Sequence, residues 1–328
     1  MKTTQPINRR QVISVVGAAA LCAAMPAFAQ AEYPNKPIKI VIPLPAGGAA
    51  DVTMRAVALE LEKGLKQPVI IENKPGGLFQ IGVQSVLSAP ADGHTLLYIY
   101  SGMVSVQAIQ KQFDLVHKFN PLTASGESPT VLVVGPDSKF KTMKELIEFG
   151  RANPGKLTYS TLGPGSIEHL KSFQLTKTAG FEALAVPYKG GPDAVKALIG
   201  GEVDFIITPA FFAQQFVPQG KMKVLAAMDT TRLKNFPDAP TIVEAGVNVP
   251  PFRFWSGLLV HADTPPAIAQ RLHKELLIAL YAPSVLEKIA ATGAVMATNK
   301  NPEDFRKFIA SEAAWMEDLA KQLKLEKN

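Results

Sequence analysis

Two short runs of small residues, each placed just before a predicted helix, are the strongest chemical signal in the chain. They lie at residues 46–50 (AGGAA) and at residues 160–166 (STLGPGS). The start of a helix has backbone N–H groups without an intrahelical partner, and it is also the positive end of the helix dipole. Small side chains leave those N–H groups open, so each run predicts a site for an anionic group. Glycines that serve only tight turns would give the same pattern, and that alternative stays open here.

Asp51, directly after the first run, has two possible roles. As an N-cap or first-turn carboxylate it would occupy the same amides and stabilise the helix by ~1 kcal/mol. Its other role would be to meet a cationic or hydroxyl part of a ligand. The structural role is the one we expect.

The remaining chemistry of the sequence is sparse. Ser166 and His169 are one helical turn apart, but no acid or oxyanion motif accompanies them, so an exported hydrolase is only an alternative hypothesis. Nucleotide-binding glycine motifs are absent. Metal-ligand spacing is absent among the five histidines, which are His94, His117, His169, His261 and His273. The sequence therefore predicts no catalytic residue, no metal and no cofactor.

The first 29 residues have the layout of an export signal. Arg9 and Arg10 precede an uncharged apolar run, and Ala27-Phe28-Ala29 forms an A-x-A cleavage site. We expect cleavage after Ala29 and a periplasmic location. The paired arginines leave open whether export uses the twin-arginine or the general secretory route. The single cysteine, Cys22, lies within this segment, so the mature chain would fold without disulfides.

The charge of the mature chain excludes one large class of partner. Removing the signal leaves a modest positive excess, and no block of Lys and Arg stands out. Nucleic acid is therefore not an expected partner, whereas a small anionic molecule suits the charge. No later apolar stretch is long enough to span a membrane without a charge or a proline. We expect a soluble monomer.

The elements around the two runs alternate between strand and helix. A strand with a near-continuous apolar run is predicted at residues 38–43, and further strands are predicted at 68–73, 94–100, 130–136, 156–160, 183–188, 222–228 and 254–260, with one more between residues 201 and 208. Helices are predicted from residue 51, at 81–88, 142–152 and 166–179, from Pro192 to a closure at Gly200-Gly201, and at 266–281, 283–292 and 302–324. Alternation of this kind indicates α/β architecture with mostly parallel sheets flanked by helices. Ligands then bind beyond the carboxyl ends of strands, where both runs lie.

Several longer stretches together resemble one family. They are YPNKPIKIVIPLPAGGAAD, ADGHTLL, NPGKLTYSTLGPGSIEHL, VPYKGGPDAVKALIGGEVDF and FWSGLLVHADTPPAI, in this order. Their order and spacing resemble the Bug receptors, the TctC-like extracytoplasmic solute-binding proteins of tripartite tricarboxylate transporters. The resemblance extends over essentially the whole mature chain.

This resemblance implies a two-domain periplasmic-binding-protein (Venus flytrap) fold with the ligand cleft between the domains. One domain would comprise residues 30–128 and 229–328, and the other residues 129–228, with crossings near residues 127–130 and 228–231. The implied ligand-binding residues are Ala46, Gly47, Gly48, Ala49, Ala50, Asp51, Gln80, Ser101, Gly102, Ser160, Thr161, Gly163, Gly165, Ser166, His169, Tyr188, Lys189 and Thr208.

The implied function is capture of a small organic carboxylate by hinge closure and its delivery to a tripartite tricarboxylate-type membrane transporter. A ligand-sensing protein that docks on a membrane signalling partner would use the same closure, so it stays an alternative. Two departures from the family pattern bear on the ligand. Phe79 stands in a run that is often glycine-rich, and Thr208 stands where an acid is frequent. We therefore expect an apolar or aromatic ligand body rather than an amino acid.

Overall fold

Strands and helices alternate along the computed structural model, which describes residues 33–298 and 301–325. The strands are β1 Ile38–Ile42, β2 Val69–Asn73, β3 Thr95–Tyr100, β4 Phe119–Val134, β5 Leu157–Thr161, β6 Ala183–Pro187, β7 Phe205–Pro209, β8 Lys223–Ala227 and β9 Arg253–His261. The predicted signal peptide lies outside the described residues. From residue 36 onward, the described residues form one compact unit.

Ten helices lie between or after these strands in the described part of the chain. They are α1 Ala49–Leu65, α2 Gln80–Leu87, α3 Ser101–Gln110, α4 Met143–Ala152, α5 Ile167–Ala179, α6 Gly191–Ile199, α7 Ala210–Phe216, α8 Pro266–Leu280, α9 Pro283–Ala291 and α10 Pro302–Gln322. None of the helices in this part of the chain is long and apolar enough to cross a membrane. The α/β class predicted from the sequence is confirmed. The predicted strand and helix bounds agree closely with the structure except at β4, and the helices α3 and α7 were not predicted.

The sheet is mixed, with parallel pairs at its two ends and antiparallel pairs in its centre. Its strand order is β2-β1-β3-β9-β4-β7-β5-β6, and β8 also pairs with β4. The parallel pairs are β1 with β2 and β3, and β5 with β6 and β7. The antiparallel pairs all involve β4 or β9. The sequence predicted mostly parallel sheets, and the two long central strands are the reason that the sheet is mixed.

Strand β4 is a single strand of 16 residues, although only its second part was predicted. Its residues 119–129 pair with β9, and from Thr130 onward it pairs with β7 and β8. Pro121 and Pro129 hide the first part from a sequence pattern, because proline is typical of strand edges and bulges. The register indeed shifts twice in this part. The change of partner lies where a crossing between domains was predicted, and the domain division itself stays a prediction.

The strands of the sheet supply much of the buried core. In β1 the side chains of Ile38, Ile40 and Ile42 are fully buried, which accounts for the near-continuous apolar run. Helix α1 presents Met54 and Leu61 to this core from one face. The end of β1 and the beginning of α1 are therefore fixed by packing, and this fixes the loop between them.

An ion cluster joins the segments near the partner change in β4. The guanidinium of Arg253, at the start of β9, lies 2.7 Å from a carboxylate oxygen of Glu127 and 2.7 Å from one of Asp229. Both carboxylates are buried. Glu127 also accepts hydrogen bonds of 2.9 Å from the backbone N–H and the hydroxyl of Thr298. Buried charges of this kind require their partners, so the cluster holds these segments in one arrangement.

A buried lysine joins helix α5 to helix α10. The Nζ atom of Lys171 lies 3.5 Å from the ring centroid of Trp315 and 5.2 Å from that of Phe252. The aromatic faces attract the cation, but burial disfavours its charge and lowers the pKa of Lys171 to about 8, an effect that Glu312 partly offsets. The folded protein therefore binds this proton less tightly than the unfolded chain does.

Replacing this lysine should change how stability depends on pH. Between pH 8 and the ordinary lysine value of 10.5, the unfolded chain binds more protons, so the free energy of unfolding of the wild type rises with pH. Lys171→Met removes the buried charge and this rise. We expect a melting temperature about 2–4 °C above wild type at pH 7, as roughly 1 kcal/mol would give, with the gain shrinking by pH 10.

The matched control is Lys177→Met, which removes an exposed ammonium from the same helix. Thermal unfolding followed by circular dichroism from pH 6.5 to 10.5 measures both variants. A gain from Lys171→Met that is equal at pH 7 and pH 10 would contradict the role of the buried charge.

Candidate functional site

The first predicted loop leads into a helix whose start has no cap. The N-cap residue of α1 is Gly48, with extended backbone angles, and no side chain among the described residues caps the helix there. Residues 46–49 are exposed. The first N–H groups of α1 therefore keep their hydrogen-bonding capacity, and the positive end of the helix dipole is uncovered.

Asp51 fixes this loop from behind. Its Oδ2 atom accepts hydrogen bonds of 3.0 Å from the backbone N–H of Gly47 and from Nε of Arg55. Arg55 also donates to the side chain of Asn73, which in turn donates to the carbonyl of Leu44. The Arg55 bond is the main reason that the pKa of the Asp51 carboxyl is lowered, against the effect of burial. Asp51 thus has the structural role that we expected, although it bonds the N–H of Gly47 rather than the first amides of the helix.

The open helix start lines a cavity of about 670 Å³. Residues 44–50 form one wall of this cavity, which we call the larger cavity. The opposite walls come from three neighbouring strands, and they carry Tyr98, Tyr100, Ser125, Gly126, Ser128, Phe254, Trp255 and Ser256. The register of the sheet brings these residues together, because Tyr100 pairs with Ser256, and Phe254 pairs with Ser128. The cavity therefore offers amide donors on one side and aromatic surface on the other.

The second predicted loop differs from the first because its N–H groups are already used. Those of Leu162 and His169 donate to the hydroxyl of Ser166, which is the N-cap of α5. The N–H of Gly163 donates to the hydroxyl of Thr161, and that of Gly165 to Nδ1 of His169 at 3.0 Å. The two runs look alike in sequence, but this loop is closed by its own side chains.

His169 is an internal acceptor in this arrangement. Because its Nδ1 atom accepts from Gly165, the ring is neutral there, and burial lowers the pKa of His169. Gly165 has a φ of +80°, and a Cβ at this position would collide with the side chain of Ile109. Only glycine therefore lets the second loop approach α3 so closely.

A smaller cavity of about 200 Å³ lies beside the second loop. Its lining includes Phe79, Gly102, Leu162, Gly165 and Glu168. The rings of Tyr100 and Phe254 line both cavities, so the two cavities adjoin. We call them together the cleft. Among the described residues, no Lys, Arg or His side chain lines the cleft, so the main-chain N–H groups are its principal means of holding an anion.

Phe79 is held in the cleft by an unusual backbone. Gly76, Gly77, Leu78 and Phe79 all have positive φ, which reaches +50° at Leu78 and +74° at Phe79. A bulky residue rarely adopts this conformation, and such strain is typical of functional positions. The result is that the Phe79 ring packs edge-on against Tyr100, with the ring centroids 5.4 Å apart.

Glu168 is the acidic group of the cleft. It lies in the first turn of α5 and lines the smaller cavity. Its Oε2 atom is buried and accepts no hydrogen bond from any described residue. Burial raises the pKa of the Glu168 carboxyl, and bonds from its own backbone and from Ser166 offset this only in part. Tyr100 is close enough to Glu168 that the carboxylate contributes, after burial, to raising the pKa of the phenol.

The structure brings some of the predicted site residues to the cleft and places others elsewhere. Ala46, Gly47, Gly48, Ala49 and Ala50 line the larger cavity, and Gly102, Gly165 and Ser166 line the smaller one. Ser101, Ser160 and Thr161 are buried behind these walls, while Asp51, Gly163 and His169 support the loops.

Like these six supporting residues, the last four predicted contacts line neither cavity. Gln80 is exposed at the start of α2, and Lys189 is exposed. Tyr188 donates to Glu202, and Thr208 is buried in β7 opposite Val131. Their roles as ligand contacts stay predictions.

The sequence did not reveal the aromatic wall or Glu168. Tyr98 and Tyr100 alternate along β3 and so share one face, a signal that the printed sequence contains. Phe254 and Ser256 share a face of β9 in the same way. Glu168, in contrast, is an ordinary first-turn acid in the sequence, and only packing shows that one of its oxygens is buried.

Comparison with known proteins identifies the family of this chain. A model of the TctC family, described as the tripartite tricarboxylate transporter family receptor, matches residues 53–325. The chain belongs to the TctC family. This TctC-family chain is 31% identical to the protein BugT of Bordetella pertussis over 313 residues, which is 93% of this chain and 95% of BugT. The family comprises periplasmic solute-binding receptors.

Several solved structures share the fold. A TctC solute-binding protein from Polaromonas, without ligand, superposes with a TM-score of 0.78 at 27% identity, covering 88% of this chain and 99% of that one. MatC from Rhodopseudomonas palustris with bound malate gives 0.70 at 26% identity, with 88% and 99% covered. An R. palustris protein with adipate gives 0.73 at 26%, with 88% and 98% covered.

Capping α1 should stabilise the protein, because its first N–H groups lack a partner. Gly48 has a negative φ, and a Cβ there would lie 3.9 Å from the Pro45 carbonyl oxygen, an ordinary contact. Gly48→Asp should therefore supply a cap oxygen and raise the free energy of unfolding by a few tenths of a kcal/mol. Chemical denaturation measures this gain, and a clear loss of stability would show that the open helix start is wrongly assigned.

Proposed function

We propose that the protein is a receptor for a small organic carboxylate, which it holds at the uncapped start of α1. The observation that carries the proposal is an open helix N-terminus facing an aromatic-lined cavity with no cationic side chain from the described residues. A carboxylate can accept hydrogen bonds from several first-turn N–H groups there. The malate and adipate held by two relatives of this family support a carboxylate as the ligand class.

The body of the ligand lies against the aromatic wall. Tyr98, Tyr100 and Phe254 offer aromatic surface, and Phe79 extends it into the smaller cavity. A ligand with an apolar or aromatic body fits this lining better than an amino acid does, because no described group in the larger cavity would pair with an ammonium ion.

Binding is coupled to closure of two lobes. In this proposal the lobes are residues 30–128 with 229–328, and residues 129–228, and they are joined where β4 changes partners. The first loop belongs to one lobe, and Glu168 with the second loop belongs to the other. A ligand that contacts both lobes favours the closed arrangement, since binding energy is gained only when they meet.

The chain is exported, cleaved after Ala29 and active in the periplasm as a monomer. The layout of residues 1–29 supports export. The closed receptor then delivers its ligand to a membrane transporter of the tripartite tricarboxylate type, a role that the family membership supports.

The proposal assigns no catalytic role to the Ser166 and His169 pair. The hydroxyl of Ser166 caps α5, and the acceptor nitrogen of His169 is occupied by Gly165. Neither atom is left to act as nucleophile or base on a bound molecule.

Ligand binding should be lost when the helix start is capped. We expect a library of mono- and dicarboxylates, including malate and adipate, to contain a compound that raises the melting temperature of the wild type. At about 100 times its Kd it would add about 2.7 kcal/mol to the free energy of unfolding. In Gly48→Asp the same compound should give no shift, because the new carboxylate occupies the amides and repels the ligand.

The matched control is Ala282→Asp, which places the same cap at the start of α9. This helix start also has no side-chain cap among the described residues, and Ala282 itself lines neither cavity. It should keep the full ligand-induced shift. If Gly48→Asp and Ala282→Asp bind the ligand equally well, the proposed site is contradicted. It is also contradicted if both variants lose the ligand-induced shift to the same extent.

A further inference from the structure

The far end of the cleft contains a polar group that the carboxylate site leaves unexplained. The Oε2 atom of Glu168 is buried next to the smaller cavity and accepts no hydrogen bond from the described residues. Burying such an atom without a partner costs free energy that folding must offset. A contribution to fold stability therefore does not explain this unpartnered atom, whereas a role in ligand recognition does.

Its position relative to the proposed carboxylate site is defined by the two shared rings. A ligand anchored at the start of α1 lies in the larger cavity, and it reaches the smaller one by passing Tyr100 and Phe254. Beyond these rings lie the apolar side chains of Phe79 and Leu162, together with the carboxyl of Glu168. The cleft thus has donors at one end, apolar surface in the middle and an acceptor at the other end.

We propose that Glu168 selects ligands by their far end and favours a carboxylate whose opposite end bears a hydroxyl group. This inference rests on the carboxylate site proposed above. A rotation of the Glu168 side chain, which lines the smaller cavity, would bring the buried Oε2 atom to the cavity surface. A hydroxyl hydrogen then satisfies Oε2 without bringing a second charge into the cleft. A second carboxylate on the ligand would face the Glu168 carboxyl, and a methyl end would leave Oε2 without a partner.

The electrostatics of the site agree with a neutral donor. Burial raises the pKa of Glu168, so this carboxyl is protonated, and therefore uncharged, more readily than the carboxyl of an exposed glutamate. An ammonium group would require an ionised partner and the desolvation of both charges. A hydroxyl group requires neither.

A series of ligands that differ only in their far end tests this inference. Hexanoate, 6-hydroxyhexanoate, adipate and 6-aminohexanoate share a six-carbon chain and end in a methyl, hydroxyl, carboxylate or ammonium group. Calorimetry with the wild type should show the tightest binding for 6-hydroxyhexanoate, about tenfold tighter than hexanoate. The same series at four and eight carbons separates chain length from the preference for the end group.

Two variants at one position show whether Glu168 causes the preference. Glu168→Gln keeps a carbonyl acceptor and should retain the hydroxyl preference within about threefold, whereas Glu168→Leu should abolish it. The control, Glu182→Leu, removes an exposed acid outside the cleft and should leave the whole series unchanged. A cooperative thermal transition of unliganded Glu168→Leu, followed by circular dichroism, shows that this variant folds.

The outcomes separate the two proposals. If hexanoate binds and the hydroxyl group adds nothing at any chain length, the inference on Glu168 is overturned and the carboxylate site stands. A preference for adipate or 6-aminohexanoate, or equal effects of Gln and Leu at position 168, also overturns it. If no member of any series binds the wild type, both proposals fail.

Discussion

In the cleft, main-chain N–H groups are the principal means of holding an anion, because its described lining contains no cationic side chain. This makes the start of α1 the element on which the rest depends. Its amides stay free because the nearest acid, Asp51, turns away to Gly47 and Arg55. That network fixes the loop without covering the helix end, and the buried packing of β1 and α1 fixes the helix itself. Capping and ligand binding are therefore competing uses of the same donors.

The two small-residue runs have opposite properties despite their similar composition. At α1 the helix end is open, and at α5 it is closed by Ser166 and His169. A symmetric grip by amides from both loops is therefore not what the geometry favours. The closed loop instead has a rigid shape that supports Glu168, so one side of the cleft donates hydrogen bonds and the other side accepts them. A cleft of this kind distinguishes the two ends of a ligand.

Much of the fold was predictable, because buried strands and capped helices leave local patterns. The limits of prediction have specific causes. Residues 119–129 were not recognised as strand, because Pro129 and its neighbours interrupt the pattern of a long strand that pairs on both sides. The loops were located correctly, but sequence cannot show whether Ser166 bonds the backbone or a ligand. The burial of one oxygen of Glu168 depends on residues far away in the chain, so no local pattern contains it. The two-domain division and the full list of ligand-binding residues were predicted from the family resemblance and not from local patterns.

The left-handed backbone at residues 76–79 limits which side chains can replace Phe79. The side chain that stands against Tyr100 is carried by a backbone with a φ of +74°. Branched residues such as valine or isoleucine are poorly compatible with that conformation, whereas glycine and asparagine adopt it readily. A single substitution of Phe79 by glycine or asparagine could therefore remove the ring beside Tyr100 or replace it with a polar side chain. A branched aliphatic side chain at position 79 would first require a different backbone conformation at residues 76–79.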